Sequence, residues 1–291
     1  MKIIKTTDSQ YKPPVIMLVY GEGGVGKTTF AATAPKPLMA DCEGGTKYLG
    51  LRGIDLDVVQ VESWTDMKLF FEALKDYETA IIDPIGELME KLKRFMIQKG
   101  DRKLVQADGS PSIAGWGWLK EQLRAYLKLL RDSGKNVLII AHVEEKMDDN
   151  RLIKRPSIAT KIADEIVNMV DVAGYMTIIR DATNDESKRV IIVDAESDKF
   201  TAKDRTGQLG KYIEPDFTKI INACQGNATY SWSKQIGERK EETNERFVKL
   251  LDAIQESDHP NEKAVMALKT PPFEFTDIQR EALQNIINVY E

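Results

Sequence analysis

An unbroken apolar run, Val15 to Tyr20 (VIMLVY), passes directly into Gly21-Glu22-Gly23-Gly24-Val25-Gly26-Lys27-Thr28. That junction constrains the fold more than any other feature of the chain. An apolar run without alternation suits a strand buried on both faces, the setting of a parallel sheet. The pattern GxxxxGKT after such a strand is a phosphate-binding loop. Its glycines let successive backbone N–H groups converge on an anion, Lys27 places a point charge there, and Thr28 offers a hydroxyl to Mg²⁺. Residues Gly21, Glu22, Gly23, Gly24, Val25, Gly26, Lys27, Thr28 and Thr29 are the expected nucleotide contacts, and Thr29 to Ala34 reads as the following helix. The plain alternative is a glycine-rich turn with an incidental lysine.

Such a site needs a carboxylate at the tip of a second buried strand to hold the hydrated magnesium. Thr79-Ala80-Ile81-Ile82-Asp83 supplies it, with Pro84 and Ile85 opening a helix, so Thr28 and Asp83 form the expected metal pair. An Asp at a strand end can also simply cap the next helix. Between the two strands lies Pro37-Leu38-Met39-Ala40-Asp41-Cys42-Glu43. Hydrolysis requires a base or water-orienting group near the terminal phosphate, and Glu43 is the candidate. Its bland alternative is that Asp41 or Glu43 caps a loop. A further apolar strand, Asn136 to Ala141, ends at His142. A polar side chain at that tip can sense the phosphate and report it to the loop beyond, although a lone histidine is also compatible with a purely structural role.

The rest of the composition excludes classes rather than choosing one. The chain has 291 residues, 42% of them hydrophobic, and 41 Lys and Arg stand against 46 Asp and Glu for a net charge of -5, so no polycation coats nucleic acid and any such contact must be local. Two cysteines and two histidines are too few for a disulfide framework or a zinc cluster. No apolar run reaches membrane-spanning length and the first residues carry no secretory h-region, so a cytoplasmic protein without a membrane partner is expected.

The order of these parts, over roughly residues 14 to 224, resembles the RecA-like branch of P-loop ATPases, and within it the small phage RecA-core, Sak-type single-strand-annealing proteins. The resemblance implies an α/β fold: a mostly parallel, RecA-like P-loop NTPase sheet flanked by helices. It implies ATP and Mg²⁺ as cofactors, a homo-oligomer as ring or filament, and single-stranded DNA as partner, with a single-strand-binding protein as a further candidate. The family's Asp-x-Glu context is matched by Asp41-Cys42-Glu43, whereas its glutamine-type sensor is replaced by His142. Its paired basic fingers, which reach a neighbouring subunit's phosphate, correspond to Lys203 and Arg205 after the strand at Arg189 to Val193. The alternative for Lys203-Asp204-Arg205 is a solvated basic turn. Glu22, where partition-type ATPases carry a second lysine, separates the chain from that class, and no arginine-rich lid of a small-molecule kinase stands out.

Two loops face the central axis in RecA-like proteins. The first corresponds to Gln98 through Trp118, with Lys99, Arg102, Lys103 and Trp116 as candidate DNA contacts. Either Trp116 or Trp118 can instead anchor the next helix, which runs from Leu119 to Ser133 with a basic stripe of Lys120, Arg124, Lys128 and Arg131. The second corresponds to Val143 through Ser157, without an ordering apolar pattern, where Lys146, Arg151, Lys154 and Arg155 are candidates. A turn signal at Gly226 and a charged run from Glu238 to Glu245 divide an ATPase core at 1–225 from a small helical extension at 226–291. Two functions follow: a DNA-annealing or strand-exchanging ATPase, or a nucleotide-switched, KaiC-like or loader-like assembly module without DNA contact. A small-molecule kinase is a third, weaker reading.

Overall fold

The computed structural model describes residues 12–148, 151–180, 187–193 and 199–226, together with residues 250, 253, 254, 256, 257, 262 and 264. Strand β1 (Ile16–Gly21) is buried at every position, and the loop after it enters a short helix, α1 (Lys27–Ala31). β2 (Pro37–Asp41), β3 (Asp57–Gln60), α2 (Asp66–Ala73), β4 (Thr79–Asp83), α3 (Ile85–Gln98), α4 (Ile113–Asp132) and β5 (Asn136–Asp148) follow. Then come β6 (Arg151–Pro156), α5 (Thr160–Met169), β7 (Val172–Arg180), β8 (Ser187–Ile192), β9 (Lys203–Asp204), β10 (Tyr212–Ile213) and α6 (Phe217–Cys224).

Among the described residues the strands form one sheet in the order β10-β8-β7-β1-β5-β4-β2-β3, with β6 beside β5 and β9 beside β7. From β7 to β3 every neighbouring pair is parallel. The fold is therefore the expected α/β type, an open and mostly parallel sheet flanked by helices. Parallel strands all end on one edge, which is where ligands of such sheets bind. Because β5 inserts between β1 and β4, the register sets His142 beside Gly21, and Asp83 beside Asp41 on the far side of β4.

The pattern of side chains explains why these segments pair. Met17, Val19, Met39, Ile81, Leu138 and Ile140 meet Phe30 of α1 and Phe217 of α6 in one apolar cluster, where the two phenyl rings pack edge to face at 5.9 Å. The alternate strand residues Leu18, Tyr20, Ile82 and Ile139 are equally buried. Both faces are thus covered, as an all-parallel sheet requires, and α3 and α4 pack on β4, β5 and each other.

Two expectations need correction. The stretch from Val143 to Ser157 is no open loop: β5 continues past the sheet and pairs antiparallel with β6, from Val143 against Pro156 to Asp148 against Arg151. The hairpin carries charges on both faces, so its sequence lacks the apolar alternation that marks a half-buried strand. The second correction is that Trp116 and Trp118 belong to α4, which starts at Ile113 rather than Leu119. Ser112 caps it: its hydroxyl accepts from the Gly115 amide at 3.0 Å and donates to the Lys103 carbonyl at 2.7 Å, offsetting the two glycines inside the first turns.

Contacts divide the chain into one unit of residues 1–177 and 189–230 and a second of 178–188 and 231–291. Most of the small helical extension expected at 226–291 lies outside the described residues. Ile254 and Ala264 are buried. Among the described residues no helix is long and apolar enough to cross a membrane.

Candidate nucleotide site

The P-loop connects the end of β1 to α1 and depends on glycine at two positions for different reasons. At Gly21 a Cβ would stand 2.4 Å from the carbonyl oxygen of Met176, so only glycine lets β1 and β7 approach there. Gly26 has φ of 104°, the left-handed region that a side chain disfavours. The backbone N–H groups of Gly24, Gly26, Lys27 and Thr28 donate to no acceptor among the described residues, and amides left over in one loop are the material of an anion site. The ammonium of Lys27, buried at 7% exposure, donates to the Gly21 and Glu22 carbonyls at 2.8 Å each. Burial holds its pKa below the ordinary lysine value, against the opposing pull of Asp83, Glu43 and Glu22.

The Thr28 hydroxyl donates to Oδ2 of Asp83 at 2.8 Å. Two hard oxygens at that separation fit adjacent corners around a small cation, since bonds of about 2.1 Å at right angles put neighbouring ligands about 3 Å apart. Asp83 is 5% exposed. Burial, reinforced by Glu43 and Asp41, pushes its pKa up to about 6 against the Thr28 bond and Lys27, so a cation here relieves a carboxylate that the fold itself leaves costly.

The carboxylates after β2 divide into separate roles. Asp41 is buried and accepts from the amides of Glu43 at 3.2 Å, Gly44 at 2.8 Å, Gly45 at 3.2 Å and Thr46 at 3.1 Å. It also accepts from the Thr46 hydroxyl at 2.6 Å and the Gln60 amide at 3.2 Å. Burial opposes its charge, yet these bonds prevail and hold its pKa below the ordinary value. Asp41 therefore folds the loop that presents Glu43. Glu43 itself is solvent-accessible and meets Nε2 of His142 at 3.1 Å. Lys27, Thr28, Glu43, Asp83 and His142 are thus brought to one edge of the sheet.

Other sequence candidates lie elsewhere. Lys203 donates to the carbonyls of Val167, Asn168 and Val170 at 2.8, 3.0 and 2.8 Å, at the end of α5. Arg205 donates to the Asn168 carbonyl at 3.0 Å and lies 3.5 Å from Asp171, whose other oxygen accepts from the Ile16 amide at 3.1 Å. Both basic residues thus stand by the start of β1, at the opposite edge from Lys27. Lys99 lies over the Phe95 ring at 4.6 Å, and Arg102 and Lys103 are exposed beside it. Trp116, 44% exposed, shares a cleft of about 340 Å³ with His142, Glu87, Glu90 and Glu144. On the hairpin, Lys146 is exposed, whereas the buried Arg155 pairs with Glu144 at 2.7 Å. Lys154 reaches Glu22 and Glu145 at 3.6 Å and donates to the Tyr175 hydroxyl at 3.2 Å. The side chain of Arg151 is outside the described residues.

One residue at the site was not a sequence candidate. Arg189 of β8 donates from Nε to the Val25 carbonyl at 3.0 Å. Only its position at the head of an apolar strand marked it, and that says nothing of the neighbour it meets.

A family profile described as an AAA domain, AAA_24, matches residues 13–206. Among solved structures, a KaiC-like protein from the hyperthermophilic archaeon Pyrococcus horikoshii OT3 is similar at 14% identity, covering 62% of this chain and 78% of that one with a TM-score of 0.40. The flagellar accessory protein FlaH from Methanocaldococcus jannaschii is similar at 12% identity, covering 69% of this chain and 84% of that one with a TM-score of 0.37. No curated protein matches the chain. The open, mostly parallel sheet flanked by helices, with the phosphate-binding loop between β1 and α1, is the expected α/β P-loop fold.

Proposed function

This chain belongs to the AAA_24 family of AAA domains, and on that premise we propose that it is a Mg²⁺-dependent ATPase that assembles with its own copies, binds single-stranded DNA and promotes annealing or strand exchange in phage-type recombination. The observation that carries the hydrolytic part is the convergence of two pairs around Lys27: Thr28 with Asp83 at 2.8 Å and Glu43 with His142 at 3.1 Å. The loop amides and Lys27 bind the phosphates. Thr28 and Asp83 would hold a magnesium ion, which would supply charge neutralisation at the transferred phosphoryl group. Glu43 orients the attacking water and accepts its proton, and His142 holds the Glu43 carboxylate through their 3.1 Å contact.

What supports the DNA contact is the exposed group Lys99, Arg102 and Lys103 on the turn before α4, together with Trp116 in the cleft that also holds His142. Cations that track phosphates beside a ring that stacks on bases suit a single strand. The second reading, a nucleotide-switched assembly module without DNA contact, is favoured by the engagement of Lys154 and Arg155 within the protein. ATP turnover measured with and without single-stranded DNA, across a salt series and alongside mass in solution, separates them. Stimulation that fades steeply with salt is expected; absence of binding at low salt transfers the assignment to the second reading.

A further inference from the structure

We propose that Arg189 is a phosphate-contacting residue of the nucleotide site supplied by the same chain, not by a neighbour; the inference rests on the P-loop assignment above. Its guanidinium is tied to the loop by the Nε donation to Val25 at 3.0 Å, so the group is fixed by its inner nitrogen. A planar fork held that way keeps its outer donors on the same rigid frame, a geometry that matches phosphate oxygens. The neighbouring backbone is shaped to admit it: a Cβ on Gly26 would stand 3.1 Å from Nε and 3.3 Å from Cδ of Arg189. Gly26 therefore serves its own left-handed turn and the approach of the arginine at once.

The position matters because the amides of Gly26, Lys27 and Thr28 carry no protein acceptor among the described residues. A cation anchored beside such amides completes an anion site that Lys27 serves from within the loop. The residue is exposed, so a ligand can reach it. By contrast, Lys203 and Arg205 are occupied by the end of α5 and by Asp171. The geometry thus assigns the arginine of this site to β8 of the same protomer.

The test measures binding of a fluorescent ATP analogue and MgATP turnover for the full chain and for Arg189→Ala, Arg189→Lys and Arg189→Gln, with thermal melting as a check on folding. Arg189→Ala is expected to weaken binding by about tenfold or more, the loss of one charge-assisted contact. Arg189→Lys should recover much of it and Arg189→Gln little. Wild-type-like binding by Arg189→Gln, with Arg189→Lys as poor as alanine, would mean that the side chain only buttresses Val25 and would overturn the proposal. Mixing Arg189→Ala with Lys27→Ala chains tests the origin of the arginine: activity should stay lost, and its recovery would show service to a neighbour's site. Should the unaltered chain bind no analogue, the P-loop reading itself fails, a result distinct from any of these.

Discussion

Nε2 of His142 lies 3.1 Å from the carboxylate of Glu43, although their strands are not neighbours: β4, ending in Asp83, runs between β5 and β2. The contact bridges the tip of the metal-pair strand. Asp83 and His142, on neighbouring strands, and Glu43, on the loop after β2, are therefore linked beside Lys27, and a change at one is felt by the others.

The Glu43–His142 pair should behave as a unit in catalysis. Glu43→Gln is expected to lower kcat by about a hundredfold or more while leaving nucleotide affinity nearly unchanged, as removal of a general base does. His142→Ala should lower kcat less, and the double variant should match Glu43→Gln alone. Steady-state kinetics on the three variants give the answer; additive losses would mean that the two side chains act separately.

Asp83 should destabilise the protein it serves. Its folded pKa of about 6 lies above the ordinary 3.8, so its stabilising contribution is complete below pH 3.8 and lost as pH rises through 6. Asp83→Asn keeps an acceptor for Thr28 without the charge. It is expected to raise stability at pH 8 by up to about 3 kcal/mol, with the gain shrinking toward pH 4. Urea unfolding at the two pH values tests this, and a constant or negative difference would contradict it.

Asp41 has the opposite sign. Its pKa is held below the ordinary value by the Thr46, Gly44 and Gln60 donors, against the cost of burial. The stability it contributes is present above the unfolded value near 3.8 and is lost as pH falls through the lower folded value. Asp41→Ala should cost about 2–3 kcal/mol at neutral pH and lower kcat by releasing the loop that carries Glu43. Denaturant midpoints together with turnover check both halves.

For Lys203 the expected loss is structural. Three carbonyls at the end of α5 accept from its ammonium, and a cation there favours the negative helix end. Lys203→Met should lower stability by about 1–2 kcal/mol. If the side chain instead serves a neighbour's phosphate, melting will be unchanged while turnover collapses, and mixing with Lys27→Ala chains will restore it.

Much of this was legible in the sequence where a single local pattern sufficed. The run Val15 to Tyr20, leading straight into a glycine-rich loop, read as a buried strand, and Gly21 to Thr28 marked the loop and its lysine. Asp83 followed from the apolar strand before it. The Glu43–His142 contact could not be read in the same way, because it depends on β5 entering between β1 and β4, a property of pairing rather than of either segment. The hairpin of β5 and β6 escaped because glutamates and lysines on its faces erase the apolar alternation. Arg189 escaped because its partner, Val25, comes from a loop far away in sequence. β3 is short and sits at the sheet edge, where half-exposed Val58 and Val59 give little signal.

Calorimetric titration of MgATP into the full chain and into Lys27→Ala decides whether the P-loop binds nucleotide. A working P-loop requires Mg²⁺-dependent binding by the unaltered chain and a loss of about a hundredfold or more in affinity for the variant, with its melting temperature unchanged. Equal affinity for the two chains, or no binding by the unaltered one, would contradict it.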